Sequence, residues 1–264
     1  MDTQQLTGVA GRRPVTLGVS FKQYLDVATS VAWVQTVAAA VAEHPAVLSG
    51  QVQLFVLPSL PALDQVARVL EGSPMQVGAQ DLFWEDRGAY TGGISGADLA
   101  ELGSTYVEVG HAERRKIFGE DVAITRRKFA AAVRNGLTPV LCVGEQTAQD
   151  ADSAAQTCIA QLESAIAEVT QDELRPLVVA YEPEWAIGAP APAPAEHVTA
   201  VVNRIRARMA QIFGLEQSAV IYGGSAKPGL LTTLGADVDG LFLGRFAHDP
   251  AAFLQIIDEA AQIR

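Results

Sequence analysis

Eight short apolar runs recur along the chain at nearly constant intervals, and this recurrence restricts the fold more than any other feature. Each run is mostly continuous rather than alternating, which is typical of parallel strands that are buried on both faces. The runs predict strands at Val15–Ser20, Val52–Leu57, Met75–Gln80, Thr105–Val109, Pro139–Val143, Leu177–Tyr181, Ala219–Tyr222 and Gly240–Leu243. From Ser20 to Gly244 is 224 residues over seven repeats. Each repeat is therefore about 32 residues, the size of one strand, one helix and the next strand.

Longer segments at helical spacing lie between these runs. They predict helices at Thr29–Glu43, Pro61–Leu70, Ala123–Val133, Ala154–Val169 and Val198–Ile212. Strands that alternate with helices predict an α/β fold with a parallel sheet. Eight similar units without a long interruption favour a closed (β/α)8 barrel, as a single domain over residues 1–264. An open dinucleotide-binding sheet is disfavoured because no Gly-x-Gly-x-x-Gly follows the first run.

Composition excludes several classes of function. Hydrophobic residues make up 49% of the chain and charged residues 19%, which is enough for a full core. The formal net charge of −11 argues against binding to nucleic acid or to an anionic membrane.

Only two cysteines, Cys142 and Cys158, are present, so neither a disulfide scaffold nor a paired-cysteine zinc site is expected. The start, Met1–Gln5, has no leader pattern, and no run reaches the roughly 18 apolar residues of a membrane span. We therefore expect a cytoplasmic protein.

A proline–alanine run interrupts the pattern between the sixth strand and its helix. Residues Gly188–Ala195 read Gly-Ala-Pro-Ala-Pro-Ala-Pro-Ala, a composition that favours extended polyproline II. Two interpretations are open, a linker between domains or a loop over the barrel mouth. A linker here would split one strand–helix unit, so we favour the loop.

Polar residues follow the predicted strands at the end where barrel enzymes hold their catalytic groups. In chain order these are Ser20 and Lys22, Gln80, His111 and Glu113, Cys142 and Glu145, Glu182, Ser225, and Gly244 with Arg245. A carboxylate, an imidazole and an ammonium from three strand ends would supply a base, a polarising donor and a cation for oxyanion charge. Proton transfer next to a carbonyl needs this set. Cys142 is interpreted as a small packed residue rather than a nucleophile, and Glu145 as a group that orients loops.

Glycines after the last three strands add a second element. Gly188, Gly223–Gly224 and Gly244 lie in loops whose backbone amides are able to bind phosphate, a frequent role of this part of a barrel. A plain tight turn at Gly223–Gly224 is the alternative. The residues thus point to a phosphorylated carbonyl compound that is enolised by one base.

The motifs around these residues resemble those of triosephosphate isomerase. Four segments carry the resemblance: Tyr181–Gly188 for its sixth loop, Gly110–Arg115 for its histidine motif, Gly88–Gly92 for its dimer loop, and Tyr222–Ser225 for a phosphate loop. The resemblance extends in order from Val15 to Phe253. It implies the TIM-barrel fold and an isomerase that needs no cofactor or metal.

The resemblance also implies roles for individual residues. Glu182 would be the base, His111 the electrophile, Lys22 the electrostatic partner and Glu113 the support of Lys22. Triosephosphate isomerase is the standard example of a glutamate base beside a neutral imidazole. The roles of Glu182 and His111 are therefore taken from the resemblance to this family. The residues implied to bind phosphate are Gly188, Ser225 and Gly244.

A homodimer is expected for two reasons. The segment between Gln80 and Ser95 is too long for a simple strand–helix turn and carries Phe83, Trp84 and Tyr90. Aromatic side chains that are exposed on such a loop indicate a buried contact. The family resemblance implies that Thr91 reaches the active site of the neighbouring subunit.

Some positions depart from the family pattern. Ser20 replaces an asparagine, Arg245 replaces the second glycine of the last phosphate loop, and the tip of loop six is replaced by the proline–alanine run. Together these changes resemble the L-erythrulose-1-phosphate isomerase branch of the family. Its substrate is dihydroxyacetone phosphate with one extra CH₂OH on the reacting end, for which the smaller Ser20 leaves space. Arg245 would either contact phosphate or pair with Asp249.

Three functions stay open on the sequence alone. The favoured one converts L-erythrulose 1-phosphate to D-erythrulose 4-phosphate through an enediol. The alternative is the triosephosphate isomerase reaction, from dihydroxyacetone phosphate to D-glyceraldehyde 3-phosphate. A non-catalytic phosphate-binding relative is the third, because the altered loop six suggests a lid that does not exclude water.

Overall fold

Eight parallel strands close into a barrel, as the (β/α)8 prediction requires. The computed structural model describes residues 13–263, so both ends of the predicted domain and the Met1–Gln5 segment lie outside the described residues. Each strand pairs with the next, and the first pairs with the last. The strands are β1 Val15–Ser20, β2 Val52–Leu57, β3 Met75–Ala79, β4 Tyr106–Val109, β5 Thr138–Val143, β6 Val178–Tyr181, β7 Ala219–Gly223 and β8 Gly240–Leu243.

Helices surround the barrel and begin slightly earlier than the apolar periodicity predicts. They are α1 Val27–Val41, α2 Pro45–Leu48, α3 Leu60–Val69, α4 Gly96–Glu101, α5 Ala112–Phe118, α6 Val122–Arg134, α7 Ala151–Ile166, α8 Ala195–Met209, α9 Leu230–Leu234 and α10 Pro250–Ile263. The side chains of Asp26 and Asp150 cap α1 and α7 by accepting backbone N–H groups. The cap, rather than the first apolar residue, sets where these helices start.

Aromatic rings fill the interior of the barrel below its catalytic end. The ring of Phe55 stacks on Tyr106 at a centroid distance of 4.5 Å and on Phe242 at 6.1 Å. Gly18 makes room for this layer, because a Cβ at that position would lie 2.1 Å from the Phe55 ring. We call these three rings the aromatic floor. Side chains two residues further along β1 and β4 lie above it and face the site.

The proline–alanine run is a loop between β6 and α8 of the same barrel, so the linker interpretation is wrong. Hydrogen bonds tie the loop to β7 and the residues that follow it. The Ala193 N–H donates to the Tyr222 hydroxyl over 3.0 Å. The Ser225 hydroxyl lies 2.6 Å from the Ala189 carbonyl oxygen. The loop therefore crosses the barrel mouth, as its composition and position predict.

Within residues 13–263 no helix combines the length and apolar character needed to cross a membrane.

Candidate active site

His111 lies two residues beyond β4, where it caps the N-terminus of α5. Its Nδ1 accepts a hydrogen bond from the Glu113 backbone N–H over 3.1 Å. The proton of a neutral ring is therefore on Nε2, which faces the site. Burial, together with the charges of Lys22, Arg115 and Arg114, lowers the pKa of His111 to about 3. The imidazole is thus neutral and acts as a donor at physiological pH.

Glu182 follows β6 and is held where the strand ladder ends. Its backbone N–H donates to the Val143 carbonyl over 2.8 Å. Its Oε2 lies 3.5 Å from Nε2 of His111 and has no hydrogen-bond partner among the described residues. Burial raises the pKa of Glu182 to about 7, although the positive charge of Lys22 opposes the rise. A carboxylate with an unpartnered oxygen and a pKa near neutrality is suited to be a general base.

Lys22 comes after β1 in a strained backbone conformation. Its φ of 49° lies in the left-handed region, which costs a residue other than glycine about 1–3 kcal/mol. Gln80 holds this conformation through bonds from its Nε2 to the carbonyl oxygens of Lys22 and Leu57, at 2.9 and 3.0 Å. The Lys22 ammonium donates to Glu113 Oε1 over 2.6 Å. Burial alone would lower the pKa of Lys22, but the hydrogen bond to Glu113 and the surrounding carboxylates raise it.

Ser20 is the last residue of β1, and its side chain points into the barrel. Its Oγ donates to Oε2 of Glu108 over 3.3 Å. The other oxygen of Glu108, Oε1, lies 3.8 Å from Nε2 of His111. Glu108 was not among the residues that sequence reasoning placed in the site. The sequence signal that could have identified Glu108 is a single carboxyl group inside a predicted strand that is otherwise mostly apolar, because buried strands seldom carry an unpaired charge.

The three residues expected to bind phosphate lie at the mouth beyond β6, β7 and β8. Gly223 on β7 pairs with Phe242 on β8. Ser225 and Gly244 lie two residues beyond these paired residues, so they are at the same edge of the barrel. The backbone N–H groups of Gly188, Ser225 and Gly244 donate no hydrogen bond to the described part of the chain. The Ser225 hydroxyl donates to loop carbonyls instead. Its backbone amide, rather than its hydroxyl, is the group left to contact an anion.

Arg245 lies at the rim and is exposed. Its guanidinium carbon is 5.7 Å from the ring centroid of Tyr24, which follows β1. Within residues 13–263 it forms no ion pair with Asp249, so that alternative is wrong. The side chain instead lies near Tyr24, at the ends of the neighbouring strands β8 and β1.

Cys142 and Glu145 have the supporting positions that the sequence suggested. Cys142 is buried, and burial raises the pKa of its thiol well above the usual value, so it is not a thiolate nucleophile. Glu145 accepts hydrogen bonds from Tyr181 Oη at 3.1 Å and from Trp185 Nε1 at 2.8 Å. It thereby ties the start of loop six to the loop after β5.

The dimer loop only partly fits its description as a set of exposed aromatics. Phe83 is half-buried and packs against Trp84 and Tyr90 in tilted arrangements, with ring centroids 4.0 and 4.8 Å apart. Arg127 covers the Trp84 ring at 4.1 Å. Only Tyr90 of the three is exposed, and Thr91 beside it is exposed as well.

Together these groups provide a base, a neutral donor and a cation at one end of the barrel. Among the described residues no group of three or more His, Cys, Asp or Glu side chains is arranged to hold a metal ion. The arrangement is suited to moving a proton between adjacent carbons of a carbonyl compound.

Comparison with known proteins gives the family. The family model of triosephosphate isomerase matches residues 15–260. The chain belongs to the triosephosphate isomerase family. Its barrel superposes on a crystal structure of triosephosphate isomerase from Bartonella henselae with a TM-score of 0.76, at 26% identity, over 92% of this chain and 97% of that chain.

Individual members of the triosephosphate isomerase family differ in how closely they match. An L-erythrulose-1-phosphate isomerase from Pectobacterium atrosepticum is 49% identical over 249 residues, covering 94% of this chain and 96% of that protein. A triosephosphate isomerase from Synechococcus sp. is 39% identical over 249 residues, covering 93% and 97%. The chain is thus a sugar-phosphate isomerase of this family, and the expectation of an enzyme is confirmed.

Proposed function

We propose that this isomerase interconverts L-erythrulose 1-phosphate and D-erythrulose 4-phosphate. The observation that carries the isomerase chemistry is the approach of Glu182 Oε2 to His111 Nε2, at 3.5 Å. The four-carbon substrate is supported by the relative of that printed name at 49% identity and by Ser20 at the position where the family has asparagine.

The proposed reaction is a proton transfer within the substrate. Glu182 takes the proton from C3 of L-erythrulose 1-phosphate, the C2–C3 double bond forms, and the electron pair of the C2 carbonyl moves onto its oxygen. The proton then returns to C2 while the carbonyl forms at C3, and the proton of the C3 hydroxyl passes by way of His111 to the C2 oxygen, which becomes the new hydroxyl group. Oxidation of one carbon balances reduction of its neighbour, so the reaction consumes no external oxidant, reductant or cofactor.

His111 and Lys22 stabilise the charge that develops on oxygen. A neutral imidazole donates from Nε2 to the carbonyl oxygen and matches the basicity of an enediolate better than an imidazolium would. Lys22 supplies a positive charge, and Glu113 keeps that ammonium in place through its 2.6 Å bond. Such preorganised donors need little rearrangement during the reaction.

The phosphate is proposed to bind the backbone amides of Gly188, Ser225 and Gly244. Arg245 adds a guanidinium at the rim, able to reach an oxygen of the same phosphate. Main-chain amides bind a small anion locally, which reconciles an anionic substrate with a protein of net charge −11.

The triosephosphate isomerase reaction is the second candidate. The relatives named triosephosphate isomerase at 39% identity favour it, since the proposed base, electrophile and lysine serve either substrate. Parallel assays of purified enzyme with L-erythrulose 1-phosphate and dihydroxyacetone phosphate test the choice. A kcat/KM at least 100-fold higher for the tetrulose is expected, and efficient turnover of the triose alone would reject it.

The protein is further proposed to act as a homodimer in the cytoplasm. The exposed Tyr90 and Thr91 on the loop after β3 support this assembly, because an aromatic and a hydroxyl side chain at a loop tip suit a contact with a second copy. Thr91 would then border the active site of the neighbouring subunit.

A further inference from the structure

Glu108 occupies an unusual position in the interior of the barrel. Tyr106 and Glu108 face inward on β4, while Val107 and Val109 pack in the outer core between strands and helices. Glu108 is only 4% exposed. A carboxyl group in this position is costly, because burial in an apolar interior needs hydrogen bonds to offset the lost hydration.

The partners of Glu108 do not offset that cost. Within residues 13–263 only the Ser20 hydroxyl donates a side-chain hydrogen bond to it, over 3.3 Å. The ammonium of Lys22 bonds Glu113 instead. Burial and the charge of Glu182 raise the pKa of Glu108 well above its usual range, since Lys22 compensates only in part. This direction favours the protonated carboxylic acid, a form that is able both to donate and to accept a hydrogen bond.

The position of Glu108 relative to the reacting atoms is defined by His111. Nε2 of His111 lies 3.5 Å from Glu182 Oε2 and 3.8 Å from Glu108 Oε1, so the imidazole N–H is flanked by both carboxyl groups. When the carbonyl oxygen of the substrate accepts a hydrogen bond from Nε2 of His111, and its reacting carbon lies beside Glu182, the next carbon of the substrate lies close to Glu108.

The topology gives the substrate a direction. In a closed ring of eight strands, β4 lies opposite β8, and Gly244 of the phosphate site follows β8. In L-erythrulose 1-phosphate the phosphate is on C1 and the terminal hydroxymethyl group is C4, at the other end of the molecule. A substrate with its phosphate at Gly244 therefore directs that hydroxymethyl group toward β4.

We propose that Glu108 and Ser20 together bind the terminal hydroxyl of the four-carbon substrate and thereby select it over the triose. This specificity role rests on the proposed function. The hydroxyl accepts from Glu108 and donates to it or to Ser20, which supplies the partners that the carboxyl group lacks. A triose phosphate has no carbon at this position and leaves both groups as they are. Glu108 is thus a specificity-determining residue rather than a further base.

The test compares three substrates: L-erythrulose 1-phosphate, its 4-deoxy analogue with a terminal methyl group, and dihydroxyacetone phosphate. The wild-type enzyme is expected to prefer the hydroxyl-bearing substrate over the 4-deoxy analogue by about 10- to 100-fold in kcat/KM. This measurement needs no variant. Equal values for the two would overturn the role of Glu108 in binding the hydroxyl.

Variants then assign the preference to its residues. Glu108→Leu is expected to lower kcat/KM for L-erythrulose 1-phosphate by about 10- to 100-fold while changing the 4-deoxy analogue and the triose less than about threefold. Glu108→Gln, which keeps a donor and an acceptor, is expected to retain most of the preference. Glu71→Gln, an exposed carboxylate before β3, is the matched control and should behave as wild type.

Two failures are distinguishable. If wild-type enzyme converts only the triose, the proposed function is wrong and the specificity role falls with it. If the enzyme converts the tetrulose but Glu108→Leu and Glu108→Gln lower kcat for all three substrates equally, only the specificity role is wrong. Thermal unfolding of each variant identifies a loss that comes from misfolding, in which case the wild-type comparison with the 4-deoxy analogue decides.

Discussion

Gly223 and Glu182 lie so close that the carboxyl group of Glu182 occupies the space where another residue at position 223 would carry its side chain. A Cβ built on Gly223 would be 2.8 Å from both Cγ and Oε1 of Glu182. The last residue of β7 thus limits the position of the proposed base, which directly follows β6. Gly223→Ala is expected to lower kcat by about 100-fold, because a displacement near 1 Å is enough for such a loss. Competitive inhibition by inorganic phosphate should change little, and equal losses in both would indicate a general collapse of the mouth.

Shortening the base provides a second prediction. Glu182→Asp moves the carboxylate back by one methylene, about 1 Å, and is expected to reduce kcat by about 100-fold or more with a smaller effect on KM. Steady-state kinetics on L-erythrulose 1-phosphate measures the change, and Glu182→Gln is the matched variant without a base. A Glu182→Asp enzyme with unchanged kcat would remove Glu182 from the base role.

The pH dependence of kcat/KM should follow Glu182. A base must be ionised to accept a proton, so activity is expected to fall as the pH drops through about 7, the pKa of Glu182. His111, with a pKa of about 3, contributes no inflection near neutrality, and the raised pKa of Lys22 keeps its charge on the alkaline side. The substrate phosphate also ionises at about pH 6 and is titrated separately as the control. A profile flat between pH 5 and 8 would contradict the assignment.

The same group makes stability depend on pH in the opposite sense. The pKa of Glu182 rises from 4.5 in the unfolded chain to about 7 in the folded protein. Above pH 4.5 the unfolded chain loses its proton first, so the free energy of unfolding falls as the pH rises and levels off above about 7. The loss amounts to roughly 3 kcal/mol. Glu182→Gln removes it, and denaturant unfolding at pH 4.5 and pH 8 should show a larger gain for the variant at pH 8.

Position 20 should influence substrate selection. Ser20→Asn restores the family's amide and is expected to impair the tetrulose reaction more than the triose reaction, because the amide would collide with the added carbon. One carbon group is worth about 1–3 kcal/mol, so the ratio of the two kcat/KM values should change by about 10- to 200-fold. An equal loss for both substrates would mean that Ser20 only positions Lys22.

Assembly provides the last prediction. Thr91 is exposed on the loop after β3, and Thr91→Arg is expected to weaken the proposed homodimer by placing a charge in the contact. Light scattering at micromolar concentration, with kcat measured on the same samples, tests this. Arg87→Lys, an exposed change in the same loop that keeps the charge, is the control. A fully active wild-type monomer would disprove the dimer.

The barrel could be predicted because its strands carry their own signal. Val15–Ser20, Val52–Leu57 and Gly240–Leu243 have the bounds that the apolar runs indicate, since burial on both faces requires continuous apolar residues. Helix starts were predicted two to three residues late at α1 and α7, because the capping side chains of Asp26 and Asp150, rather than the apolar periodicity, determine where these helices begin.

The sequence predicted those site residues that lie within a contiguous motif. It did not predict the contacts between residues that are far apart in the chain. His111 and Glu182 lie within contiguous signatures, so their types and positions indicated their chemistry. The pairing of Ser20 with Glu108 joins residues 88 positions apart and depends on which face of each strand points inward. Gln80 was identified after its strand, but its hold on the Lys22 carbonyl depends on the barrel closing.

The aromatic floor gives the site a fixed depth. Phe55 stacks on rings from β4 and from the opposite strand β8, and Tyr106 on β4 lies two residues before Glu108, so a substrate that enters from the mouth meets packed rings below. With the phosphate in the proposed site at the rim, the distance from that site to the rings limits the length of carbon chain that fits between them. In the proposed binding mode a sugar phosphate one carbon longer would have to displace Glu108 or the aromatic floor, so the packing of the core would also set an upper limit on the length of the substrate.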